Sequence, residues 1–407
     1  MILNRLKKFF VITLIATFFT SSFVFSQSTD KSNLLGQINT ITTAVPFLMI
    51  SPDARAGGMG DAGAASSPDV NSIHWNPAKM TFNEKKIGIG ISYTPWLRAL
   101  VPDINLAYVS AFSKLGDGNQ ALSGSLRFFS LGNIDFTDVD GNNIGQFNPS
   151  EFALDGSYSR KLGENFSGGV SLRFIHSNLT GGIAVPGSNT QTKAGNSVAA
   201  DVSGYFQKEI ELSGKDAVFS AGFNISNIGS KITYSETGTK DFIPINLRIG
   251  PALKIKLNEF NDLTFLADFN KLLVPTPPVY SDQVVDGEYL ILAGKDPEVG
   301  VPQGIFQSFG DAPGGGKEEL REINICGGME YWYDKQFAFR AGYFYEHATK
   351  GNRKYFTLGA GLRYNVFGLD FAYLIPTEQR NPLENTLRFT LSFDFEALGG
   401  GGDDGGE

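Results

Sequence analysis

Cysteine is nearly absent: Cys326 is the only one in 407 residues. One thiol cannot close an internal disulfide. A chain of this kind, if exported, needs another means of holding together, and a hydrogen-bonded closed sheet would serve. Histidine is scarce as well. His74, His176 and His347 are the only three, without metal-ligand spacing and without a Ser-His-carboxylate pattern for nucleophilic catalysis. No catalytic residue, metal site or cofactor is expected, and the chain reads as a non-enzyme. After residue 30 no run approaches the roughly 20 apolar residues of a spanning helix. Membrane passage therefore falls to strands. An excess of positive charge is missing too, with 34 basic against 42 acidic residues, which disfavours nucleic acid as a partner.

The N-terminus is distinctive. Arg5, Lys7 and Lys8 precede the apolar run Phe9–Phe25, and Val24 and Ser26 are small residues placed for cleavage before Gln27. Residues 1–26 thus read as a secretory signal peptide, and a retained N-terminal anchor fits less well because no basic stop-transfer flank follows. Loss of three basic residues takes the 34 to 31 against 42 acidic, a net charge of −11.

Hydrophobic residues make up 42% of the chain and aromatics 13%, 34 of them Phe, yet mean hydropathy is only −0.09. Strands of a transmembrane barrel average out in this way, because apolar and polar residues alternate. In "LRFTLSFDFE", Leu387, Phe389, Leu391, Phe393 and Phe395 alternate with Arg388, Thr390, Ser392, Asp394 and Glu396, which puts the two sets on opposite faces. "FGLDFAY" (367–373), "QFAFRAGYFYE" (336–346) and "FSGGVSLRF" (166–174) do the same. About fourteen such segments run from residue 87 to residue 395, each near the 9–11 residues that cross a bilayer. Aromatics gather at their ends, as at Tyr93/Trp96 and Tyr331/Trp332/Tyr333, like the interfacial girdles of outer-membrane barrels.

Connection lengths alternate with equal regularity. Short links lie at 114–120, 162–165, 257–262, 334–336 and 365, and long ones at 132–150, 178–195, 227–243 and 271–322. Outer-membrane barrels have short periplasmic turns and long outer loops; a soluble sandwich has no reason to sort loops by parity. The expected fold is an all-β transmembrane antiparallel barrel of about 14 strands over residues 86–396, in the outer membrane of a Gram-negative bacterium. An even strand count places both termini in the periplasm. Residues 397–407, "LGGGGDDGGE" and its leading Ala, read as a flexible tail.

Residues 27–85 precede the first strand. Their "GGMGDAG" has no P-loop Lys-Ser/Thr and follows no strand of a βαβ unit, so a phosphate loop is rejected. Placed before a barrel, this small-residue stretch is a candidate lumen plug, with Asp53, Arg55, Asp61, His74, Asn76 and Pro77 available to meet inward charges. Arg127, Arg173, Arg340, Arg363 and Arg388 fall on polar strand faces, as do Asp155, Glu330, Asp370 and Asp394. Buried charges require pairing or water, so these line either a bridged salt network or a wet channel. Two outer loops look sticky. Trp96, Leu97, Leu100 and Val101 in 94–103, and Leu273, Val274, Pro275 and Pro277 at the head of 271–322, are candidate partner-docking residues.

"GGMGDAGAASSPDVNSIHWNPAKM" resembles the N-terminal plug region of FadL-type outer-membrane proteins. Together with "ISYTPWLRALVPDINLAY", "FSLGNIDFTD" and "DFIPINLRIG…DFNKLLVPTP" it resembles, more closely, the PorV-like outer-membrane proteins of the type IX secretion system. The resemblance implies a component that associates with the large translocon barrel. It also implies that the component binds secreted cargo through the cargo's C-terminal signal domain and delivers it to the surface sortase and attachment complex, in contact with lipid bilayer and lipopolysaccharide. Two other readings stay open at this point: a FadL-like channel for hydrophobic solutes, and a lipopolysaccharide-modifying enzyme using His176 or His347.

Overall fold

The computed structural model describes residues 34–395, apart from 99, 100, 102, 138, 139, 183–190, 237, 286, 287, 379 and 380. The signal peptide, the tail 397–407 and Leu100 lie outside the described residues.

Two one-turn helices, α1 (Ala54–Gly57) and α2 (Ser72–Trp75), precede the first strand. The strands follow as β1 (Ile87–Pro95), β2 (Asn105–Leu115), β3 (Gln120–Ser130), β4 (Ile134–Thr137), β5 (Asn143–Phe147) and β6 (Ser150–Lys161). Next come β7 (Phe166–Asn178), β8 (Gly195–Leu212), β9 (Lys215–Gly229), β10 (Asn246–Lys256) and β11 (Asn261–Leu272). The large loop after β11 carries β12 (Val279–Val285), β13 (Glu288–Ala293) and helices α3 (Val301–Gln307) and α4 (Gly316–Arg321). The wall resumes with β14 (Asn324–Tyr333), β15 (Phe337–Tyr345), β16 (Lys354–Tyr364), β17 (Phe367–Pro376) and β18 (Leu387–Phe395).

Fourteen of these strands close a barrel in sequence order, β1 pairing with β18. The pairs β4–β5 and β12–β13 stand apart as two-stranded sheets within loops. Closure leaves no wall edge unpaired, the condition for crossing a bilayer with strands. Among the described residues no helix is long and apolar enough to cross a membrane.

The alternation sorts as expected. On β1, Gly88, Gly90, Ser92 and Thr94 are buried inside while Ile89, Ile91 and Tyr93 are exposed outside. The same holds on β7, where Ser167, Ser171 and Arg173 face in and Val170, Leu172 and Phe174 face out. Short turns join strands at one end only. One of them, between β8 and β9, has φ of +51° at Ser213 and +77° at Gly214, the two-residue turn whose twist matches the strands it joins. The long loops all lie at the other end, including 273–323 between β11 and β14.

The expected position of the N-terminal segment needs correction. An even strand count fixes where β1 starts and β18 ends, and both are at the short-turn end, where the Lys86 amide meets the Phe395 carbonyl. The chain nevertheless approaches β1 from the opposite mouth. Asn39 bonds through its amide to the Thr349 carbonyl and Ala44 to the Phe242 carbonyl, both in long-loop segments. It then descends through the lumen. Phe47 stacks on Phe129, while further on Ser167, at the start of β7, donates to the Ala78 carbonyl. The lumen segment accounts for the difference: the chain crosses the barrel once before the first strand begins.

Candidate functional site

Residues 45–83 lie inside the barrel. At the long-loop level the filling is apolar. Val45, Phe47 and Leu48 pack with Ile243, Ile245, Leu273 and Val274 against the inward Leu106, Phe129 and Ile175. Deeper, apolar contacts of Met59, Val70, Ile73 and Met80 with the wall are joined by a bonded polar set. Asp53 caps α1, accepting from the Ala56 amide at 2.9 Å, and takes the Trp75 indole N–H at 2.6 Å. Arg248 lies over that indole at 4.5 Å.

Arg55 is held between Glu330, at 2.8 and 2.9 Å, and Asp69 at 2.9 Å. Glu330 also takes Arg340 at 2.7 Å, Arg340 reaches Asp370 at 2.8 Å, and Asp370 takes Arg363 at 2.7 Å. Six alternating charges thus run from plug to wall. Asp61 takes Arg388 at 2.6 Å and the Tyr355 hydroxyl at 2.5 Å. On the far wall Arg173 bridges Asp155 and Asp201. The Asp201 carboxylate also accepts the amide of Asn227 at 2.8 Å, where a bulge shifts the β8–β9 register. The charged inner face is therefore bridged, and Arg55 and Asp61 of the plug take part in three of the bridges.

The remaining expected plug residues bond as well. His74 meets Arg127 at 2.6 Å and sits edge-on to Trp75. Asn76 donates to the carbonyls of Ala64 (2.9 Å) and Gly204 (3.0 Å) and accepts from Ala78, with Pro77 opening the 3-10 turn Pro77–Phe82. Sequence reasoning missed Asp69, Lys79, Asp268 and Trp75. Lys79 donates to the Gly63 carbonyl at 2.7 Å, and Asp268 accepts the amides of Gly63 and Ala64 at 2.7 and 2.8 Å. Lys79 directly follows the Asn-Pro-Ala element, and that proximity was the one available signal.

No histidine gathers a catalytic set. His176 points outward to Asn196 at 2.8 Å, while its neighbour Ser177 faces in and donates to Glu151 at 2.6 Å. His347 bonds Thr349 at 3.0 Å. Among the described residues no group of three or more His, Cys, Asp or Glu is placed to hold a metal.

The docking residues divide. Val101 is exposed, Trp96 and Leu97 are half-buried against the lumen clusters, and Pro277 is half-buried with its carbonyl bonded to Asn39 at 3.1 Å. Leu273, Val274 and Pro275 are buried, so the expectation that they form a surface is corrected: this apolar stretch is core, because it turns inward over the mouth. The exposed part of loop 273–323 lies further on. Tyr280, Val284, Tyr289, Leu290 and Leu292 of the β12–β13 hairpin stand in solvent, with Phe306, 79% exposed, and Phe309 beside α3. This crest is the apolar surface the loop offers.

Buried ion pairs hold the base of the crest. Lys271 pairs with Glu319 (3.0 Å) and Glu322 (2.5 Å), and Lys350 with Glu318 (2.6 Å) and Glu322 (3.0 Å). Asp311 sits among these acids with its Oδ2 accepting the Thr276 amide at 3.2 Å. Burial, and then the Glu319 and Glu322 carboxylates, push its acid from 3.8 up to about 6, although the Thr276 amide pulls the other way. The folded loop thus holds this proton more tightly than the unfolded one. The stabilisation is full below about 3.8 and is lost as pH rises through about 6. Protease cleavage of the loop is therefore expected to accelerate between pH 4 and 6.5 in the native protein. Asp311→Asn should flatten that rise, as limited digestion across pH will show.

A closed fourteen-stranded antiparallel barrel, apolar outside and charged inside, defines the class: an outer-membrane β-barrel. Similar solved structures are the toluene transporter TodX of Pseudomonas putida (10% identity, TM-score 0.48, 89% of this chain and 100% of that one) and TbuX of Ralstonia pickettii (10%, 0.44, 84% and 98%). A FadL homologue of Pseudomonas aeruginosa is also similar (13%, 0.43, 88% and 99%). No curated protein matches the chain. The family described as type IX secretion system protein PorV matches residues 33–279. The chain belongs to that family and is an outer-membrane component of type IX secretion.

Proposed function

We propose that this barrel serves secretion as a docking platform rather than a conduit. The crest over the long-loop mouth meets the translocon barrel and the C-terminal signal domains of cargo, and cargo passes from it to the surface sortase and attachment complex. One observation carries the reading. The long-loop half of the lumen, where a hydrophobic solute would have to enter, is filled by the chain's own Phe47, Leu48, Ile243, Ile245 and Leu273, while comparable apolar surface is displayed outside on the hairpin and α3. Exposed apolar patches of this kind mark protein contacts. The reading assigns the barrel no chemistry: Asp61, Asp155, Asp201, Glu330 and Asp370 in its lumen are tied up in ion pairs, and the outward His176 bonds only an amide.

The experiment is replacement of residues 281–292 by Gly-Gly. Val279 and Ala293 pair directly, so the shortened hairpin can still close. Cargo is expected to accumulate unprocessed in the periplasm while the barrel inserts normally. Normal cargo processing by an inserted variant would refute the crest's role.

A further inference from the structure

We propose that Leu34–Asn39 is a strap displayed at the cell surface, which fastens the large loop across the barrel mouth and joins it mechanically to the plug. Its anchor is specific. The Asn39 side chain donates to the Pro277 carbonyl at 3.1 Å and to Glu318 Oε1 at 3.0 Å, its amide donates to the Thr349 carbonyl at 2.9 Å, and Arg321 of α4 donates to the Leu35 carbonyl. Two loops, 273–323 and 346–353, are thereby tied to one short segment.

Glu318 is more than a surface contact. It is buried, and it also takes Lys350 and the Gly314 amide, at 2.6 Å each. The strap therefore plugs into the ion-pair cluster that supports the crest. On its other side the same segment continues without a break. Ala44 is bonded to Phe242, and the carbonyls of Phe47 and Leu48 accept from Arg127, before Asp53 caps the plug helix. Any displacement of α4 pulls on a chain whose other end is the lumen filling. Between its anchors the strap is open: Ile38 is 82% exposed.

Nothing in this placement depends on what the crest binds, so it can be tested separately. Cys326, the only native thiol, is buried and stays silent towards a membrane-impermeant maleimide. Ile38→Cys is expected to label in intact cells, whereas Glu164→Cys, on a short turn, should label only after the outer membrane is permeabilised. An Ile38→Cys protein that reacts only after permeabilisation would overturn the proposal. The fastening is tested by Asn39→Asp, which sets a carboxylate against Glu318, and by the milder Asn39→Ala. External protease should cut residues 294–310 about tenfold faster in Asn39→Asp, and less so in Asn39→Ala, with the barrel still folded. Cleavage at the native rate in both variants would show that the strap fastens nothing.

Discussion

Glu330→Ala is expected to destabilise the folded barrel by about 3–5 kcal/mol, the usual cost of removing one partner from a buried ion pair. Glu330 is 1% exposed and is the shared anion of two guanidinium groups, Arg55 from the plug and Arg340 from β15. Without it Arg55 keeps Asp69 and Arg340 keeps Asp370, but two acids are left to balance three arginines. Glu330→Gln keeps the shape and loses the charge, so it should fall between native and alanine. The double variant Arg55→Ala/Glu330→Ala should cost less than the two single changes added together, because members of one network are not independent. Urea unfolding of the detergent-solubilised barrel, followed by tryptophan fluorescence, measures the native protein, Arg55→Ala and the three variants above. A loss below about 1 kcal/mol for Glu330→Ala, within the range of surface pairs, would show that the plug is not held by this network.

The wall was legible because lipid on one side and a filled lumen on the other impose a period of two on every strand. Phe389, Leu391 and Phe393 against Arg388, Thr390 and Ser392 can be read only one way in a bilayer. Loop parity carried the rest of the topology. The plug was legible from its small residues and its place ahead of the first strand. Its pairings were not. Arg55 and Glu330 are 275 positions apart, and any of the inward arginines could have met any inward acid until the register was known. The apolar run Leu273–Pro275 was misread for a related reason. Apolar side chains signal burial or docking equally well, and only the inward turn of the loop decides between them. Strand counting likewise fixes the ends of the wall and says nothing of a segment that crosses the lumen beforehand. The glycines of the wall were the largest omission. Alternation marks them merely as inward and small, while their meaning depends on which plug backbone lies opposite.

That meaning gives the second large expectation. Gly222→Val should displace the plug. Gly222 lies inward on β9, and a side-chain carbon there would collide with the Ala64 carbonyl and the Asn76 amide group. Gly342 on β15 and Gly60 in the plug make a matching contact on the other wall, where a carbon on Gly60 would come within 2.7 Å of the Gly327 and Tyr343 backbone. Plug and wall therefore meet backbone to backbone on two sides, and neither surface can yield by rotating a side chain. Overpacking of an ordinary core costs about 1–3 kcal/mol; here the obstacle at Ala64 is main chain, so the expected cost is at the upper end of that range. The Asn76 bonds to Ala64 and Gly204 should fail together. Gly156→Val is the control, since Gly156 faces outward on β6 with open space around it, and it should change stability by no more than about 0.5 kcal/mol. In planar bilayers the native protein should pass little current, Gly156→Val the same, and Gly222→Val discrete openings as the plug leaves its seat. A Gly222→Val barrel that folds and stays closed would mean that the plug relaxes without unseating. In that case the close backbone contact would not be what seals the lumen.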